Sequence, residues 1–335
     1  MTKVLELGGY AAGYAGRLFV RAGFDVVRVE QGTKPAWASQ EAMNAYLHVG
    51  KRRINLSEQL TDLANAADIV ICEADRADDL AELGFDAWSA PVKVALTPFG
   101  RTGPHANWRA SPNTILAMGG YTNLMGDEGR EPLTLPGHYV EFQTGAVGYS
   151  AAMAAQYAQR TAVADIGMLE TLMSLSQFTT VLWHCSGEIR SRHGSDFWSV
   201  SPSDLFRCAD GWVYINIVPT FWDQFLALVG LPDLVLDPRF ETNDGRREYR
   251  DDLRELIARA FIDLTRDDID ERAKTYRVPL GVVRTMDHVL AEAHLEERGF
   301  WETVETESGE TVKSPGLPFN IASRPRPVYR TEAVQ

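Results

Sequence analysis

The length and charge of the chain exclude several classes of protein. It has 335 residues, of which 45% are hydrophobic and 24% charged, a composition typical of a folded globular protein with one or two domains. The 33 Lys and Arg side chains against 46 Asp and Glu give a net charge of −13, so the long-range field repels nucleic acids and anionic lipid surfaces. We therefore expect neither a nucleic acid nor a membrane as a partner.

The cysteines and apolar segments favour a cytoplasmic setting. Cys72, Cys185 and Cys208 are odd in number and form no Cys-x-x-Cys pair, which argues against a disulfide framework and a structural zinc site. The histidines show no metal-binding spacing, so no metal is predicted. No apolar run reaches membrane-spanning length, and the first strand-like segment follows the N-terminus without a secretion signal.

The first hundred residues or so predict a parallel sheet. Strand-like apolar runs occur at 4–7, 25–30, 68–72 and 92–96, and a helix is predicted at 57–66. A further helix follows the first strand and its glycines. Short apolar strands that alternate with helices are typical of an α/β fold whose sheet is covered on both faces.

The remaining sequence predicts core helices and then a second domain. Residues 145–158 are rich in Ala and Gly, and 166–183 continue as one largely apolar helix. A Ser- and Pro-containing loop at 196–202 precedes a hairpin at 204–218. An amphipathic helix is predicted at 246–261.

The glycine turn after the first strand suggests two interpretations. Gly9, Gly13 and Gly16 precede Glu30, which closes the next strand, and this arrangement is close to the dinucleotide-binding pattern. That pattern needs a second glycine two residues after the first, because the backbone there touches the pyrophosphate, and this position is Ala11. A structural glycine turn is therefore favoured over NAD binding.

Glu141 is the candidate reactive carboxylate. It lies among aromatic and apolar residues within 136–145, just before the predicted helix of small side chains. A helix N-terminus stabilises an ionised carboxylate, which favours a group that can react as an anion. The alternative interpretation is an ordinary acidic residue in the first turn of a helix.

Short motifs occur in a fixed order along nearly the whole chain. The first is VLELGGYAAGYAGRLFVRAGFDVVRVE, and the others lie at residues 50–53, 67–71, 99–104, 209–215 and 237–240. Each motif is weak by itself. Their shared order resembles the class III coenzyme A transferases, the family of formyl-CoA transferase, carnitine CoA-transferase and alpha-methylacyl-CoA racemase.

The resemblance implies an α/β fold with a Rossmann-like large domain, built on a parallel sheet, and a smaller α+β domain. We assign residues 1–195 to the large domain, 196–305 to the small domain, and 306–335 to a C-terminal segment that returns toward the large domain. The resemblance also implies an interlocked dimer of two ring-like chains, either a homodimer or a heterodimer with a homologous chain.

The resemblance further implies transfer of CoA between an acyl-CoA and a carboxylic acid, through anhydride and thioester intermediates on an enzyme carboxylate. Glu141 falls where the family has its catalytic aspartate. CoA is then a substrate or ligand, and no tightly bound cofactor is implied. The residues at the CoA-site positions are Ala11, Ala12, Gly13, Lys51, Arg52, Leu56, Glu73 and Arg101.

Departures from the family pattern leave alternatives open. Glu141 is one methylene longer than the family's aspartate, and Glu73 stands where the family usually has an asparagine near the nucleotide. A carboxylate that faces a phosphate is repulsive. The first alternative is therefore a non-catalytic or repurposed subunit of a heteromeric CoA-transferase. An acyl-CoA racemase ranks below it, because its proton-transfer histidine is replaced by Ser111-Pro112-Asn113.

Overall fold

The chain folds into two compact units in the computed structural model. The structure describes residues 2–30, 41–56, 59–197, 199–306, 308–317 and 329–330. The first unit contains Met1–Thr122, Thr134–Arg190 and Ala293–Gln335, and the second contains Asn123–Leu133 and Ser191–Glu292. The chain thus contributes Asn123–Leu133 to the second unit and then returns to it from Ser191 to Glu292, whereas the sequence predicts one segment from 196 to 305. Beyond 317, the predicted C-terminal segment lies outside the described residues except for 329–330.

The described residues form twelve strands and fifteen helices. The strands are β1 (Lys3–Leu7), β2 (Asp25–Glu30), β3 (Arg52–Asn55), β4 (Ile69–Glu73), β5 (Val92–Thr97), β6 (Ala162–Gly167), β7 (Ser203–Cys208), β8 (Gly211–Asn216), β9 (Leu280–Val282), β10 (Trp301–Glu305), β11 (Thr311–Pro315) and β12 (Tyr329–Arg330). The helices are α1 (Tyr10–Arg21), α2 (Glu41–His48), α3 (Leu60–Asn65), α4 (Ala77–Glu82), α5 (Pro112–Met118), α6 (Tyr121–Leu124), α7 (Tyr139–Tyr157), α8 (Met168–Leu175), α9 (Gln177–Ser186), α10 (Trp222–Val229), α11 (Asn243–Glu248), α12 (Arg250–Phe261), α13 (Arg266–Tyr276), α14 (Met286–Leu290) and α15 (Ala293–Glu297).

The first unit is built on a six-stranded parallel sheet in the order β3-β2-β1-β4-β5-β6. The predicted strands at 4–7, 25–30, 68–72 and 92–96 are confirmed as β1, β2, β4 and β5. The order is that of a doubly wound sheet, in which the direction of winding reverses between β1 and β4. Ligands of such sheets bind in the crevice at the carboxyl ends of those two strands.

Alternating side chains cover both faces of the sheet. On β4, Ile69 and Ile71 join the core on the side of α1 and α7. Val70 and Cys72 join the opposite core, on the side of α3 and α4. Each strand of the sheet interior thus buries both of its faces, which accounts for the continuous apolar runs in the sequence.

The region after residue 145 departs from the prediction at two points. The helix expected at 145–158 begins at Tyr139, so Glu141 lies in its first turn. The single helix predicted at 166–183 is wrong, because this stretch contains the end of β6 and then α8 and α9. In β6, Ala164 and Ile166 pack against the core while alternate residues are exposed, a period that belongs to a strand.

The second unit has its own core and a three-stranded antiparallel sheet in the order β7-β8-β9. The hairpin predicted at 204–218 is confirmed as β7 and β8, while the helix predicted at 246–261 divides into α11 and α12. Aromatic side chains such as Phe225 and Phe261 pack against this sheet. Across both units, the described helices include none with the length and apolar character needed to span a bilayer.

Candidate active site at the carboxyl ends of β1 and β4

The glycine turn brings the end of β4 against the start of α1. Gly8 has a φ of +120°, and a Cβ placed on it would lie 2.5 Å from the Cβ of Glu73. A Cβ on Gly9 would lie 3.0 Å from Oε1 of Glu73. Glycine at these positions therefore permits a close approach that any side chain would obstruct. This is the structural role that the sequence analysis favours over NAD binding.

Glu73 ends β4 and caps α1. Its Oε2 accepts a hydrogen bond from the backbone N–H of Ala12 at 2.8 Å, and no side chain from the residue before α1 caps the helix. Burial raises the pKa of Glu73 to about 7, and the negative charge of Glu141 acts in the same direction. The amides of Ala12 and Gly9 and the guanidinium of Arg28 oppose this rise. The carboxyl predicted to contact CoA is thus bonded to the protein's own helix.

Glu141 is buried in the first turn of α7, with 6% of its surface exposed. Its Oε1 lies 3.2 Å from Nδ1 of His138. Its Oε2 is also buried and has no hydrogen-bond partner among the described residues. A carboxylate oxygen without a partner, at the N-terminus of a helix, has lone pairs that no hydrogen bond engages, which suits a nucleophile.

Contacts between α1 and α7 hold Glu141 near the glycine turn. Gly145 packs so closely on α1 that a Cβ there would lie 2.3 Å from the carbonyl oxygen of Ala11. The ring of Tyr10 stacks on His138 with centroids 3.8 Å apart. Burial raises the pKa of Tyr10, and the charge of Glu141 raises it further. The N-terminal ends of the two helices therefore meet, and they carry the candidate site.

Sequence reasoning missed two residues of this arrangement. His138 precedes Glu141 by three residues, a spacing that brings side chains together on a helix. This spacing could have identified His138 from the sequence. Tyr10 lies far from both in sequence, and only the packing of α1 on α7 shows that it belongs to the site.

Lys51 lies beneath α1, away from any surface. Its Nζ is 2.6 Å from Oε2 of Glu6 and 2.8 Å from the carbonyl oxygen of Gly13, and both side chains of the ion pair are fully buried. Arg28 pairs with the other carboxylate oxygen of Glu6. Burial lowers the pKa of Lys51 to about 8, although Glu6 acts against this shift. Gly16 completes the packing, since a Cβ there would overlap Glu6.

The other predicted CoA-site residues are spread along the sheet. Ala11, Ala12 and Gly13 form the buried first turns of α1, beside Glu73. Arg52 is exposed on the edge strand β3 and Leu56 is exposed just after it. Arg101 follows β5 and pairs with Asp86 at 2.5 Å. The structure therefore brings the α1 residues and Glu73 near Glu141, whereas Lys51 pairs with Glu6 and Arg101 with Asp86.

Comparison with known sequences assigns the chain to a family. The sequence model of CoA-transferase family III matches residues 2–332. The chain belongs to CoA-transferase family III. Membership identifies it as an enzyme of the class that transfers CoA between an acyl-CoA and an acid.

Two curated relatives and one solved structure illustrate the family. The chain is 28% identical to the succinyl-CoA–D-citramalate CoA-transferase of Chloroflexus aurantiacus, covering 88% of this chain and 81% of the relative. It is 24% identical to the succinyl-CoA:(R)-benzylsuccinate CoA-transferase subunit BbsE of Thauera aromatica, over 95% and 87% of the two chains. A CAIB/BAIF family protein from Brucella suis shares the fold, with a TM-score of 0.88, 22% identity and coverage of 99% and 95%.

Proposed function

We propose that this family III enzyme transfers CoA from an acyl-CoA to a carboxylic acid, with Glu141 as the nucleophile. The observation that carries the proposal is the buried carboxylate of Glu141, whose Oε2 has no hydrogen-bond partner among the described residues. His138 and the first turn of α7 fix its other oxygen and its backbone. A positioned carboxylate of this kind can form covalent acyl intermediates.

The proposed reaction exchanges one leaving group for another at three carbonyl carbons: those of the donor, of Glu141 and of the acceptor. Glu141 attacks the thioester carbonyl, the C–S bond breaks, and the products are a mixed anhydride and CoA thiolate. The thiolate then attacks the Glu141 carbonyl of the anhydride and releases the donor's carboxylate, which leaves a CoA thioester on Glu141. The acceptor carboxylate attacks this thioester, and the thiolate that departs attacks the new anhydride to give the product acyl-CoA. Each step consumes one anion and releases one.

Two arginines with exposed surface complete the proposed CoA contacts. Arg52 and Arg101 retain exposed surface and can meet a phosphate, and the N-terminus of α1 adds a favourable dipole for an anion. Lys51 is committed to Glu6. We therefore assign Lys51 to the support of α1 in this proposal.

Intact-protein mass spectrometry tests the covalent route. The chain is mixed with acetyl-CoA or succinyl-CoA and a free carboxylic acid, and we expect a covalent gain of the mass of CoA that hydroxylamine removes. CoA transfer in the absence of any covalent adduct on the chain would overturn the proposal. Heat-denatured protein is the control for non-enzymatic thioester exchange.

A second candidate is a non-catalytic subunit of a heteromeric CoA-transferase. Glu73 favours this candidate, because a carboxyl at the expected nucleotide site weakens the attraction for phosphate. Lys51 favours it too, because its ammonium group is buried and paired with Glu6. The Thauera aromatica relative is itself named as a subunit. Calorimetry with CoA separates the two candidates: binding at micromolar affinity by this chain alone, roughly 8 kcal/mol, excludes the second.

We further propose that the protein is a homodimer or pairs with a homologous chain. Support comes from α9 and the segment that follows it, where Val181, Trp183 and Ile189 expose 56%, 57% and 75% of their surface. Apolar side chains exposed in this way commonly lie in interfaces. Sedimentation analysis of the isolated chain would show a dimer if the protein is a homodimer. A monomer at all concentrations would exclude the homodimer and leave only the heterodimer with a homologous chain.

The proposed location is the cytoplasm. Cys72 and Cys208 are buried and Cys185 is exposed, and all three are free thiols. A reducing compartment suits this state. Fractionation of the source cells, with detection of the chain in the soluble fraction, tests it.

A further inference from the structure

Two carboxyl side chains from different elements lie near the first turn of α1, at the carboxyl ends of β1 and β4. Glu73 is the last residue of β4 and bonds to the amide of Ala12 at 2.8 Å. Glu141 comes from the first turn of α7, which lies against the same turn of α1. The charge of Glu141 raises the pKa of Glu73, so the protonation of Glu73 depends on the state of Glu141.

The groups that face Glu73 do not neutralise it. From α1 it receives the amides of Ala12 and Gly9, and from α7 it meets the charge of Glu141. The guanidinium of Arg28, from β2, acts on Glu73 but is bonded to Glu6 and to the carbonyl oxygen of Gly8. Its neighbour on β4 is the neutral thiol of Cys72, whose pKa is raised to about 12 by burial and by the charge of Glu73. The two carboxyls thus share a site with little positive charge of its own.

We propose that Glu73 is a positioning residue for the transfer reaction: as a neutral acid it fixes the first turn of α1 beside Glu141, and as a carboxylate it opposes the entry of anionic substrates. The inference rests on the proposed role of Glu141 as nucleophile. A protonated carboxyl still accepts the hydrogen bond from Ala12 through its carbonyl oxygen. Ionisation therefore changes the charge of the site while the cap on α1 is retained.

The charge of Glu73 should affect the step in which the acceptor carboxylate binds. The acceptor is itself a carboxylate, and it must approach Glu141 after CoA has been loaded. With Glu73 neutral, the acceptor meets a site in which Glu141 is esterified and uncharged. With Glu73 ionised, the acceptor meets a negative charge at the end of β4, which disfavours its binding. Catalytic efficiency for the acceptor should therefore fall as the pH rises through the pKa of Glu73 in the loaded chain, which lies below about 7 because Glu141 no longer carries the charge that raises it.

The test combines a direct titration with kinetics on the full chain. Glutamate carboxyls are labelled with ¹³C, and the signal of Glu73 is assigned by comparison of the wild type with Glu73→Gln. Its midpoint should lie near 7 and should move to lower pH in Glu141→Gln, which removes the neighbouring charge. The catalytic efficiency for the acceptor acid is measured from about pH 5 to about pH 8 in the wild type, in Glu73→Gln and in Glu248→Gln, whose carboxylate is exposed on α11 in the second unit.

We expect the efficiency of the wild type and of Glu248→Gln to fall on the order of tenfold across this range, and that of Glu73→Gln to change by less than about twofold. An ordinary midpoint for Glu73, a midpoint that does not respond to Glu141→Gln, or parallel profiles for wild type and Glu73→Gln would each overturn the inference. A wild-type chain without transfer or adduct would contradict the proposed function instead, and the titration would still decide the coupling of the two carboxyls.

Discussion

Two buried carboxylates of the first unit lie close to α1 and have opposite surroundings. Glu6, beneath the helix, is fully buried and bonded to two cations, Lys51 and Arg28. Glu141, at the end of the helix, is also buried, and one of its oxygens has no partner among the described residues. Burial alone does not distinguish a structural carboxylate from a reactive one. The counter-charges do, because an anion bonded to two cations is stabilised in its ground state, whereas Glu141 has a histidine beside one oxygen and no partner for the other among the described residues.

The comparison also explains why the basic cluster at residues 51–53 does not form a ready-made phosphate site. Lys51 and Arg53 turn inward and pair with Glu6 and Glu30, whereas Arg52 between them is exposed. The three basic residues are adjacent in sequence, but two of them support the interior of the sheet and one lies at the surface. The following predictions test this division.

The largest effect is expected at Glu141. Replacement of Glu141 by Gln should lower the transfer rate by more than about a thousandfold, because an amide oxygen cannot form the anhydride. Glu141→Asp should retain part of the activity, since the nucleophile is kept but shortened. Steady-state kinetics measure both variants, and circular dichroism confirms their fold. Full activity of Glu141→Gln would show that the unpaired carboxylate is not the nucleophile.

The next effect concerns stability and the paired carboxylate. Lys51→Met should lower the free energy of unfolding by about 3 to 5 kcal/mol, because it leaves a buried charge of Glu6 without its partner. Lys274→Met is the matched control, since that lysine pairs with Asp270 on the exposed face of α13, and it should change stability little. Urea denaturation measures both. A loss below about 1 kcal/mol for Lys51→Met would place Lys51 outside the structural network.

A smaller effect with a defined pH dependence is expected at Glu73. Its pKa is raised from 4.5 to about 7 in the folded chain, so the native state holds a proton that the unfolded state has lost. This contribution to stability is complete below about pH 4.5 and disappears as the pH rises through about 7. Glu73→Gln stays neutral, so it should gain about 2 to 3 kcal/mol relative to wild type between pH 4 and pH 8. A pH-independent difference in urea denaturation would contradict the assignment.

The smallest effect is expected at Arg101. Its ion pair with the exposed Asp86 should contribute at most about 1 kcal/mol to stability. If Arg101 contacts CoA, Arg101→Ala should weaken CoA binding about threefold to tenfold with little change in melting temperature. Arg259→Ala, which removes an exposed pair with Glu255, is the control for calorimetry. Equal affinity in the two variants would remove Arg101 from the CoA site.

The strands of the parallel sheet could be predicted because their apolar runs are short and bounded by glycines and polar turns. β6 was missed, since its alternation of small residues is joined directly to an apolar helix. The inward turn of Lys51 was predictable in principle: Lys51 and Arg53 are buried and Arg52 is exposed, which is the two-residue period of a strand.

The candidate site was only partly predictable. Glu141 was found from its position before an apolar helix and from the family resemblance. Its coupling to Glu73 could not be found, because the two residues are far apart in sequence and meet only through the packing of α7 on α1. For the same reason the stacking of Tyr10 on His138 required the structure.

The most direct test of the account is to locate the covalent adduct among the buried carboxylates. The chain is incubated with an acyl-CoA, trapped with hydroxylamine, digested and mapped by mass spectrometry. The account predicts a hydroxamate at Glu141 and none at Glu73 or Glu6. A hydroxamate at Glu73, or at neither residue while CoA transfer proceeds, would contradict the assignment of Glu141 as the reactive carboxylate.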